Sequence, residues 1–435
     1  MIKISDVANP NYLAKVVKLE NLRKHEGADR LQMTTINFND VVLGLEAEIG
    51  MVYIYFPIEA QINFEFLKEN NSFDSQLLNK DPNVKGYFNK QGRVKAVKLR
   101  GERSMGVLFP VESFKNFINL KGISLNDFFN EHLNEEFDTI NDVLMVKKYQ
   151  VPIKNSGMEN KLGKKPRISR LVDNQVFLHV DTTNLRNEAY KIKPDDFISV
   201  TNKLHGTSFH VHNVIVKRKL NVFSKLLKSL GVKIQETEYD LVFGSRKVIK
   251  NEYETQHVND FYDGDLYSEI KEELREFVPK NYNVYGECVG YTKSGGAIQK
   301  DYTYGCKEGE HKLFIYRITI VNPDGNVTEL STLQIKEFCD KKGLNYVPLY
   351  YVGYAKNLYP DLNVEDHWNE EFVKRLEKDY ATGDCDICVG VPKEGIVLRV
   401  EGLSYFESYK LKNFDFLQRE SLELDAGVID LESAN

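Results

Sequence analysis

A chain of 435 residues is too long for one hydrophobic core, so the sequence predicts at least two domains. The formal net charge of −6 means that any nucleic-acid binding must depend on local basic patches. The first residues lack the apolar core of a signal peptide, and no run reaches the roughly 18 apolar residues of a membrane helix. We therefore expect a cytoplasmic protein, or one in the host cytoplasm if a phage encodes it.

The first 150 residues contain short alternating segments that predict the strands of a small barrel or sandwich. Examples are residues 14–19, 31–36 and 52–56, which turn-forming residues separate. The phrase Gly27-Ala28-Asp29-Arg30-Leu31 is similar to the OB-type barrels of tRNA-binding modules. Residues 113–150 predict acidic helices appended to this domain.

Cations alternate with apolar residues between positions 93 and 103. On a strand, Arg93 and Lys95, and Lys98 and Arg100 after a phase shift, would face outward over a buried row. A solvated strand face and a phosphate-binding stripe on the barrel both explain this pattern. These four residues are the candidates for RNA binding if the second explanation holds.

Residues 151–175 are rich in Lys, Gly, Asn and Pro and predict a linker between domains 1–150 and 176–435. In the second domain, strand-like runs alternate with predicted helices over 222–230, 265–277, 333–342 and 369–378. The first of these is basic and amphipathic, and Gly231 follows it as a helix C-cap. No Gly-x-Gly-x-x-Gly run occurs, so we expect a mixed, largely antiparallel α+β domain rather than a Rossmann sheet.

The five cysteines do not indicate a disulfide framework in a chain of this length. Cys385-x-x-Cys388 has the gap of a zinc half-site, but no second Cys/His pair lies near it. Reduced structural thiols are the expected state.

The stretch from Lys203 to Ser208 places a lysine, a glycine and two hydroxyls on a turn between two predicted strands. A lysine there could be ordinary surface or a covalent nucleophile. Free lysine has a pKa of about 10.4, and desolvation with neighbouring cations lowers it toward neutrality. A nucleophilic Lys203 therefore predicts an enclosed pocket, nearby cations, and carboxylates that hold a metal.

Candidates for these partners follow along the chain, each on a predicted strand. They are Glu287 between two glycines, Tyr316 in an apolar strand, Glu394 at the head of another strand, and the alternating pair Lys410 and Lys412. Taken singly, each is more typical of a turn, a core aromatic or a solvated face. Their combination in this order favours a shared site.

The ordered set resembles the motif series of the covalent nucleotidyltransferases, which comprise DNA ligases, RNA ligases and mRNA capping enzymes. Lys203-x-x-Gly206 resembles motif I, whose lysine becomes nucleotidylated. Glu287 resembles motif III, Tyr316 motif IIIa, Glu394 motif IV, and Lys410 with Lys412 motif V. The resemblance spans about residues 176–425.

Two departures refine the resemblance. His205 stands where the commonest motif I has Asp, and Lys-x-His-Gly-Thr is similar to a variant found among RNA ligases. Arg317 stands where motif IIIa usually has Asp, which leaves the role of that position open. The predicted barrel is N-terminal, similar to the RNA-ligase group with an N-terminal OB module and a C-terminal catalytic domain.

The resemblance implies an ATP-dependent RNA ligase that joins RNA 5′-phosphate and 3′-hydroxyl ends through a lysyl-AMP intermediate and an adenylylated RNA end. It implies Lys203, Lys410 and Lys412 as catalytic residues, with ATP and Mg²⁺ or Mn²⁺ as cofactors. Nucleotide contacts would come from Glu287, Tyr316, Glu394, Arg246 and His205, and metal contacts from Glu287 and Glu394.

The resemblance leaves several alternatives open. A nicked duplex, a broken tRNA loop and single strands would all suit this chemistry in RNA repair. A DNA ligase, a capping-type guanylyltransferase and a non-catalytic RNA-binding relative are rival functions. No membrane contact and no obligate protein partner are expected.

Overall fold

The computed structural model describes residues 1–119, 122–150, 170–246, 248–250, 266–363 and 367–426. Its strands in chain order are β1 (Ile2–Lys3), β2 (Ala14–Lys18), β3 (Arg23–Lys24), β4 (Leu31–Ile36), β5 (Asn39–Gly44), β6 (Val52–Phe56), β7 (Ala60–Ile62), β8 (Ala96–Leu99), β9 (Glu102–Met105), β10 (Val107–Pro110), β11 (Glu136–Phe137), β12 (Thr139–Ile140), β13 (Val143–Leu144), β14 (Val146–Lys148), β15 (Thr183–Asn184), β16 (Phe197–Lys203), β17 (Thr207–Lys217), β18 (Thr237–Ser245), β19 (Val248–Lys250), β20 (Tyr282–Gly290), β21 (His311–Val321), β22 (Val327–Glu329), β23 (Asn345–Tyr346), β24 (Leu349–Tyr354), β25 (Gly395–Val400) and β26 (Glu407–Lys412). Its α-helices are α1 (Phe64–Glu69), α2 (Leu125–Glu131), α3 (Leu185–Glu188), α4 (Val222–Ser229), α5 (Leu266–Leu274), α6 (Thr332–Lys342), α7 (Ala355–Leu358), α8 (Trp368–Leu376) and α9 (Phe414–Asp425).

The chain forms two compact units. The first comprises Met1–Val151, Thr183–Ala189 and Phe414–Ile429, and the second comprises Pro152–Thr182, Tyr190–Asn413 and Asp430–Asn435. Helix α9, at the far end of the sequence, thus packs within the N-terminal unit. Most of the predicted linker, residues 151–169, lies outside the described residues.

Strand β6 organises the first unit because it is buried on both faces. It lies between β10 and β2 in the sheet order β10-β6-β2-β11. Ile54 and Phe56 face a large core that includes the helix residue Phe66, while Tyr53 and Tyr55 face a smaller one. Other strands of this unit form smaller sheets, among them β3-β4-β5, and no closed barrel joins them in the described residues.

The segment 113–150 corrects the sequence prediction, since most of it is not helical. A 3₁₀ turn at Val111–Phe114 and the short helix α2, capped by the side chain of Ser124, make up its helical part. Four short strands follow from β11 to β14. Asn134, Asn141 and Asp142 have positive φ angles, and such left-handed residues form turns rather than continuing a helix.

The second unit contains two sheets of mixed α+β architecture, as predicted. Strands β26, β25, β16 and β24 pair in that order, and all three pairings are antiparallel. The larger sheet has the order β19-β18-β17-β20-β21-β22, and β23 pairs in parallel with β21. Its apolar face, with Phe209 and Val284, packs against Ile270 of α5 and Ile335 of α6. The opposite face is polar and carries much of the site described below.

The four predicted helices of this unit are confirmed as α4, α5, α6 and α8. Gly231, just beyond α4, has φ +82°, which glycine adopts without steric cost. Ser331 and Gln334 form a capping box at the start of α6. Within the described residues, no helix has the length and apolar character needed to cross a membrane.

Candidate active site

Lys203 is the last residue of strand β16. Ile198 and Val200, on the opposite face of this strand, are fully buried and fix its position. The turn after Lys203 passes through Gly206, where a Cβ atom would lie 2.3 Å from the carbonyl oxygen of Cys288. Glycine is therefore required for the chain to enter β17 this close to β20.

An ion pair joins Lys203 to Glu394. Lys203 Nζ lies 2.6 Å from Glu394 Oε1, and their side chains are 15% and 1% exposed. Nδ1 of His205 lies 3.9 Å from the other carboxylate oxygen, Oε2. The structure thus brings together three predicted site residues in the enclosed setting that a nucleophilic lysine needs. Because a carboxylate stabilises the charged ammonium, this amine could act as a nucleophile only after the ion pair separates.

The strand register places the three predicted lysines on one face of the smaller sheet. Lys203 pairs with Gly395, and Gly395 in turn pairs with Lys412. Two residues further along each strand, Val397 pairs with Lys410 on the same face. Residues directly opposite in antiparallel strands point to the same face. Gly395 has φ +148°, and a Cβ atom there would lie 2.2 Å from the carbonyl oxygen of Leu411. The position between Lys203 and Lys412 must therefore carry no side chain.

The polar face of the larger sheet contributes Glu287 and Tyr316. Glu287 Oε1 accepts a hydrogen bond from the N–H of Gly206 at 3.0 Å, and Glu287 is opposite Ser208 in the strand register. Ser208 Oγ in turn lies 3.4 Å from the hydroxyl of Tyr316. Burial raises the pKa of Tyr316, so its hydroxyl stays protonated at neutral pH. The stretch from Lys203 to Ser208 thus contacts two further predicted residues.

Two tyrosines that the sequence analysis did not identify support His205. The hydroxyl of Tyr304 accepts a hydrogen bond from the His205 main-chain N–H at 2.8 Å. The ring of Tyr302 packs edge-on against the His205 imidazole, with centroids 4.9 Å apart. Both tyrosines lie in a loop 97 and 99 residues downstream, where no sequence pattern linked them to the turn. The sequence signal that could have drawn attention to them was the close spacing of two tyrosines between the strand of Glu287 and the strand of Tyr316.

Arg246 is positioned by Asp181. Its Nε and Nη2 atoms donate to Asp181 Oδ1 at 2.9 and 2.7 Å. The carboxylate orients the guanidinium, and the two side chains are 21% and 37% exposed. A role of Arg246 in nucleotide contact stays a prediction.

Arg317, whose role the sequence left open, takes part in a buried charge network. It donates to both carboxylate oxygens of Glu329, through Nε at 3.1 Å and through Nη2. Arg399 Nη2 lies 3.9 Å from the same carboxylate, and both guanidinium groups lie over the ring of Phe406. Arg317 Nη1 also lies 3.4 Å from Nδ1 of His179. This arginine therefore has a structural partner in Glu329, twelve residues downstream on the adjacent strand β22.

His179 connects this network to Tyr316. Its ring lies 5.0 Å from the ring of Tyr316. Burial, with the nearby positive charges of Arg317 and Arg246, lowers the pKa of His179 to about 3. The imidazole is consequently neutral and serves as an apolar and hydrogen-bonding support behind Tyr316.

The carboxylates Glu287 and Glu394 suit a divalent cation that also binds substrate phosphates. Both are buried, and Glu394 Oε2 makes no hydrogen bond to any described residue. Mg²⁺ and related ions take one or two carboxylates and complete their shell with water and phosphate oxygens. Within the described residues no group of three or more His, Cys, Asp or Glu side chains could hold a metal alone. The arrangement fits a metal that arrives with a nucleotide.

Among the four predicted RNA-binding cations, the prediction that Arg93 faces outward is wrong. Arg93 is 2% exposed and donates to Asp425 and to a main-chain carbonyl of helix α9. Lys95 Nζ lies 2.6 Å from the same Asp425. Lys98 and Arg100 are exposed, as predicted. The alternation does not start at Arg93 because strand β8 begins only at position 96.

Cys385 and Cys388 are buried free thiols. Burial raises the pKa of the Cys385 thiol, which keeps it protonated and poorly reactive. Their burial is the setting expected of reduced structural thiols.

Comparison with known proteins gives the family. A family model described as RNA ligase matches residues 196–413, half of the chain, and this match spans Lys203, Glu287, Tyr316, Glu394, Lys410 and Lys412. No curated protein matches the chain in sequence.

The solved structures with a similar fold include several of Naegleria gruberi RNA ligase. A mutant with ATP and Mn has a TM-score of 0.57, and a mutant with AMP and Mn has 0.56. Each is 16% identical and covers 94% of this chain and 98% of its own. At that identity the likeness concerns the fold, whereas the sequence match decides the family. This chain belongs to the RNA ligase family.

Proposed function

We propose that this protein is an ATP-dependent RNA ligase that seals RNA 5′-phosphate and 3′-hydroxyl ends through a lysyl-AMP intermediate. The 2.6 Å contact between Lys203 and the buried carboxylate of Glu394 carries this proposal. It supplies an enclosed amine next to a carboxylate with an oxygen that could bind a metal. The Naegleria RNA ligase mutants with ATP or AMP and Mn support the choice of ATP and a divalent ion.

Three displacements at phosphorus make up the reaction. Lys203 Nζ loses a proton and attacks the α-phosphorus of ATP, so that a P–N bond forms and pyrophosphate leaves. An oxygen of the RNA 5′-phosphate then attacks the same phosphorus, which transfers AMP to the RNA and regenerates the amine. Finally the 3′-hydroxyl attacks the RNA 5′-phosphorus, a phosphodiester forms, and AMP leaves. Such chemistry depends on positioning and charge neutralisation more than on acid-base groups.

The remaining side chains of the site have separate roles in this proposal. Lys410 and Lys412, on the sheet face of Lys203, contact phosphate oxygens and offset their charge. Tyr316 stacks on adenine, and Glu287 binds the ribose hydroxyls. Arg246 contacts ribose or phosphate.

Glu394 and Glu287 would hold Mg²⁺ or Mn²⁺, which supplies positive charge at the phosphates when bound. Binding at Glu394 would also compete with its ion pair to Lys203. That competition offers a route by which the amine separates from the carboxylate and becomes available for attack. In this proposal His205 holds the turn after Lys203 in place, and that turn lies between the carboxylates of Glu394 and Glu287.

The N-terminal unit would bind the RNA as an OB-type module. Its exposed cations Lys98 and Arg100 are the candidates for phosphate contact. A cytoplasmic role in RNA repair is part of the proposal.

The test is the mass of the intact protein before and after incubation with ATP and Mg²⁺. We expect a gain of one AMP in the wild-type protein and none in Lys203→Ala. Adduct formation by Lys203→Ala would refute the proposed nucleophile. An adduct with GTP but not ATP would indicate a guanylyltransferase, and sealing of a nick with DNA but not RNA on the 3′-hydroxyl side would indicate a DNA ligase.

A further inference from the structure

Helix α4 carries apolar side chains that nothing in the described part of the chain covers. It lies between β17 and β18, and its Val222, Phe223 and Leu230 are 85%, 66% and 71% exposed. Leu226 and Val232 are also exposed, and no residue of the helix is buried. Contiguous apolar patches larger than a few hundred Å² are rare on monomeric proteins and usually mark an interaction site.

The helix sits at the far end of a long hairpin. Strand β17 pairs with β20 only as far as His212. Its last residues, Asn213 to Lys217, pair with β18. The ten steps from Thr207 to Lys217 span about 33 Å. The apolar patch is therefore distant from Lys203 along the strand and has no part in the proposed chemistry.

The apolar residues of α4 share one face. At 100° per residue, the arc from Val222 through Leu226, Leu230 and Phe223 to Leu227 covers about 140°. Lys225 and Lys228 lie outside this arc. The helix is thus amphipathic, and the residues of its apolar side are exposed except for the half-buried Leu227.

Positive charge surrounds the patch. Six lysines and arginines and no carboxylates occur between His212 and Glu236. Lys228 pairs with Glu236 at 2.6 Å and Arg218 lies 3.9 Å from Glu238, so the next strand offsets part of this charge. The balance around the patch is still positive in a chain with a net charge of −6.

We propose that this patch, formed by Val222, Phe223, Leu226, Leu230 and Val232, binds peripherally to an anionic lipid surface. A bilayer interface accepts aliphatic side chains at the acyl boundary and attracts lysines through its headgroups. RNA would match the charge and could stack a base on Phe223, but it offers no continuous aliphatic surface for the row that contains Leu226 and Leu230. The apolar residues continue past the helix to Val232, which suits a plane better than a groove that holds a single helix.

Peripheral binding needs neither a signal peptide nor a spanning helix, whose absence was the basis for expecting no membrane contact. The inference is independent of ligase activity.

Sedimentation of the full chain with phospholipid vesicles tests the proposal. We expect the protein to sediment with vesicles of phosphatidylcholine and phosphatidylserine but not with phosphatidylcholine alone, and high salt to release it. The double variant Phe223→Asp/Leu226→Asp should reduce binding about tenfold or more, as should Lys225→Glu/Lys233→Glu. The matched control Leu77→Asp, at a 90% exposed position in the N-terminal unit, should bind like the wild type.

Three results would overturn the proposal. They are no sedimentation with anionic vesicles, sedimentation that the α4 variants do not alter, and α4 variants that weaken binding of an RNA oligonucleotide instead of vesicles. Unchanged circular-dichroism melting of each variant establishes that lost binding is not lost folding.

Discussion

Lys203 Nζ lies 2.6 Å from Glu394 Oε1, although these two residues are 191 positions apart in the sequence. The contact forms because β16 and β25 are antiparallel neighbours, with Lys203 opposite Gly395. In the proposed mechanism, the same carboxylate holds the amine in place and receives a metal. This double use makes Glu394 the residue whose change should affect the first reaction step most directly.

Replacing Glu394 by Gln should slow formation of the lysine adduct by about a hundredfold or more, since the site loses both a negative charge and a metal ligand. The measurement is the rate of AMP addition by intact mass over a range of Mg²⁺ or Mn²⁺ concentrations. Glu337→Gln, at an exposed carboxylate of helix α6 that pairs with Lys341, is the control and should react at the wild-type rate. A wild-type rate in Glu394→Gln would remove this residue from the mechanism.

The Arg317–Glu329 pair should be important for stability because both side chains are buried, at 7% and 5% exposure. Glu329→Gln leaves two neighbouring guanidinium groups without their shared carboxylate, and breaking a buried pair costs about 3–5 kcal/mol. Urea unfolding followed by fluorescence should show this as an earlier transition of the second unit.

The control for the Glu329→Gln variant is Lys341→Gln, which breaks the pair with Glu337, in which the two side chains are 71% and 64% exposed. An exposed pair contributes little, so this control should unfold like the wild type. Equal effects of the two changes would show that burial does not govern the strength of the Arg317–Glu329 contact.

Buried histidines should make the protein sensitive to acid. Burial lowers the pKa of His210 from 6.5 to about 4, so the unfolded chain binds this proton more readily than the folded one. Stability is therefore complete above about pH 6.5 and falls as the pH approaches 4. For His210 alone the loss between pH 7.5 and pH 5 is about 2 kcal/mol.

Melting temperatures at pH 7.5 and pH 5 measure this effect. His210→Gln should melt lower at pH 7.5 but lose less between the two pH values than the wild type. His367→Gln, at an exposed histidine, should keep the full wild-type pH dependence. The same pH dependence in His210→Gln as in the wild type would contradict the assignment.

RNA binding by the N-terminal unit predicts a separation of two activities. Lys98→Ala/Arg100→Ala should weaken RNA sealing and reduce the salt dependence of RNA binding, while AMP addition to Lys203 continues at the normal rate. Arg93→Ala should instead lower the melting temperature, since it removes the buried partner of Asp425 and of helix α9. Equal loss of sealing and of AMP addition in the double variant would exclude a specific role in RNA binding.

The amino-acid sequence by itself predicted those helices and turns that depend on residues a few positions apart. The helix at α4 and its C-terminal Gly231 followed from periodicity and a breaker, both of which act within a few residues. The spacing of Lys203 and Gly206 and the order of Glu287, Tyr316 and Glu394 were readable in the same way, through resemblance to a motif series. Local pattern was less informative over 113–150, where isolated polar residues with positive φ replaced the expected helix.

Tertiary structure alone decided which distant side chains neutralise and support one another. The alternation of cations and apolar residues predicted that Arg93 faces outward. Helix α9, more than 320 residues later in the sequence, instead buries the Arg93 guanidinium. The partner of Arg317 became visible only when β22 paired with β21 and brought Glu329 to it. Tyr304 reached the main chain of His205 through a loop that no spacing rule specifies. Burial and long-range pairing depend on how strands assemble, and a local pattern contains no information about the partner strand.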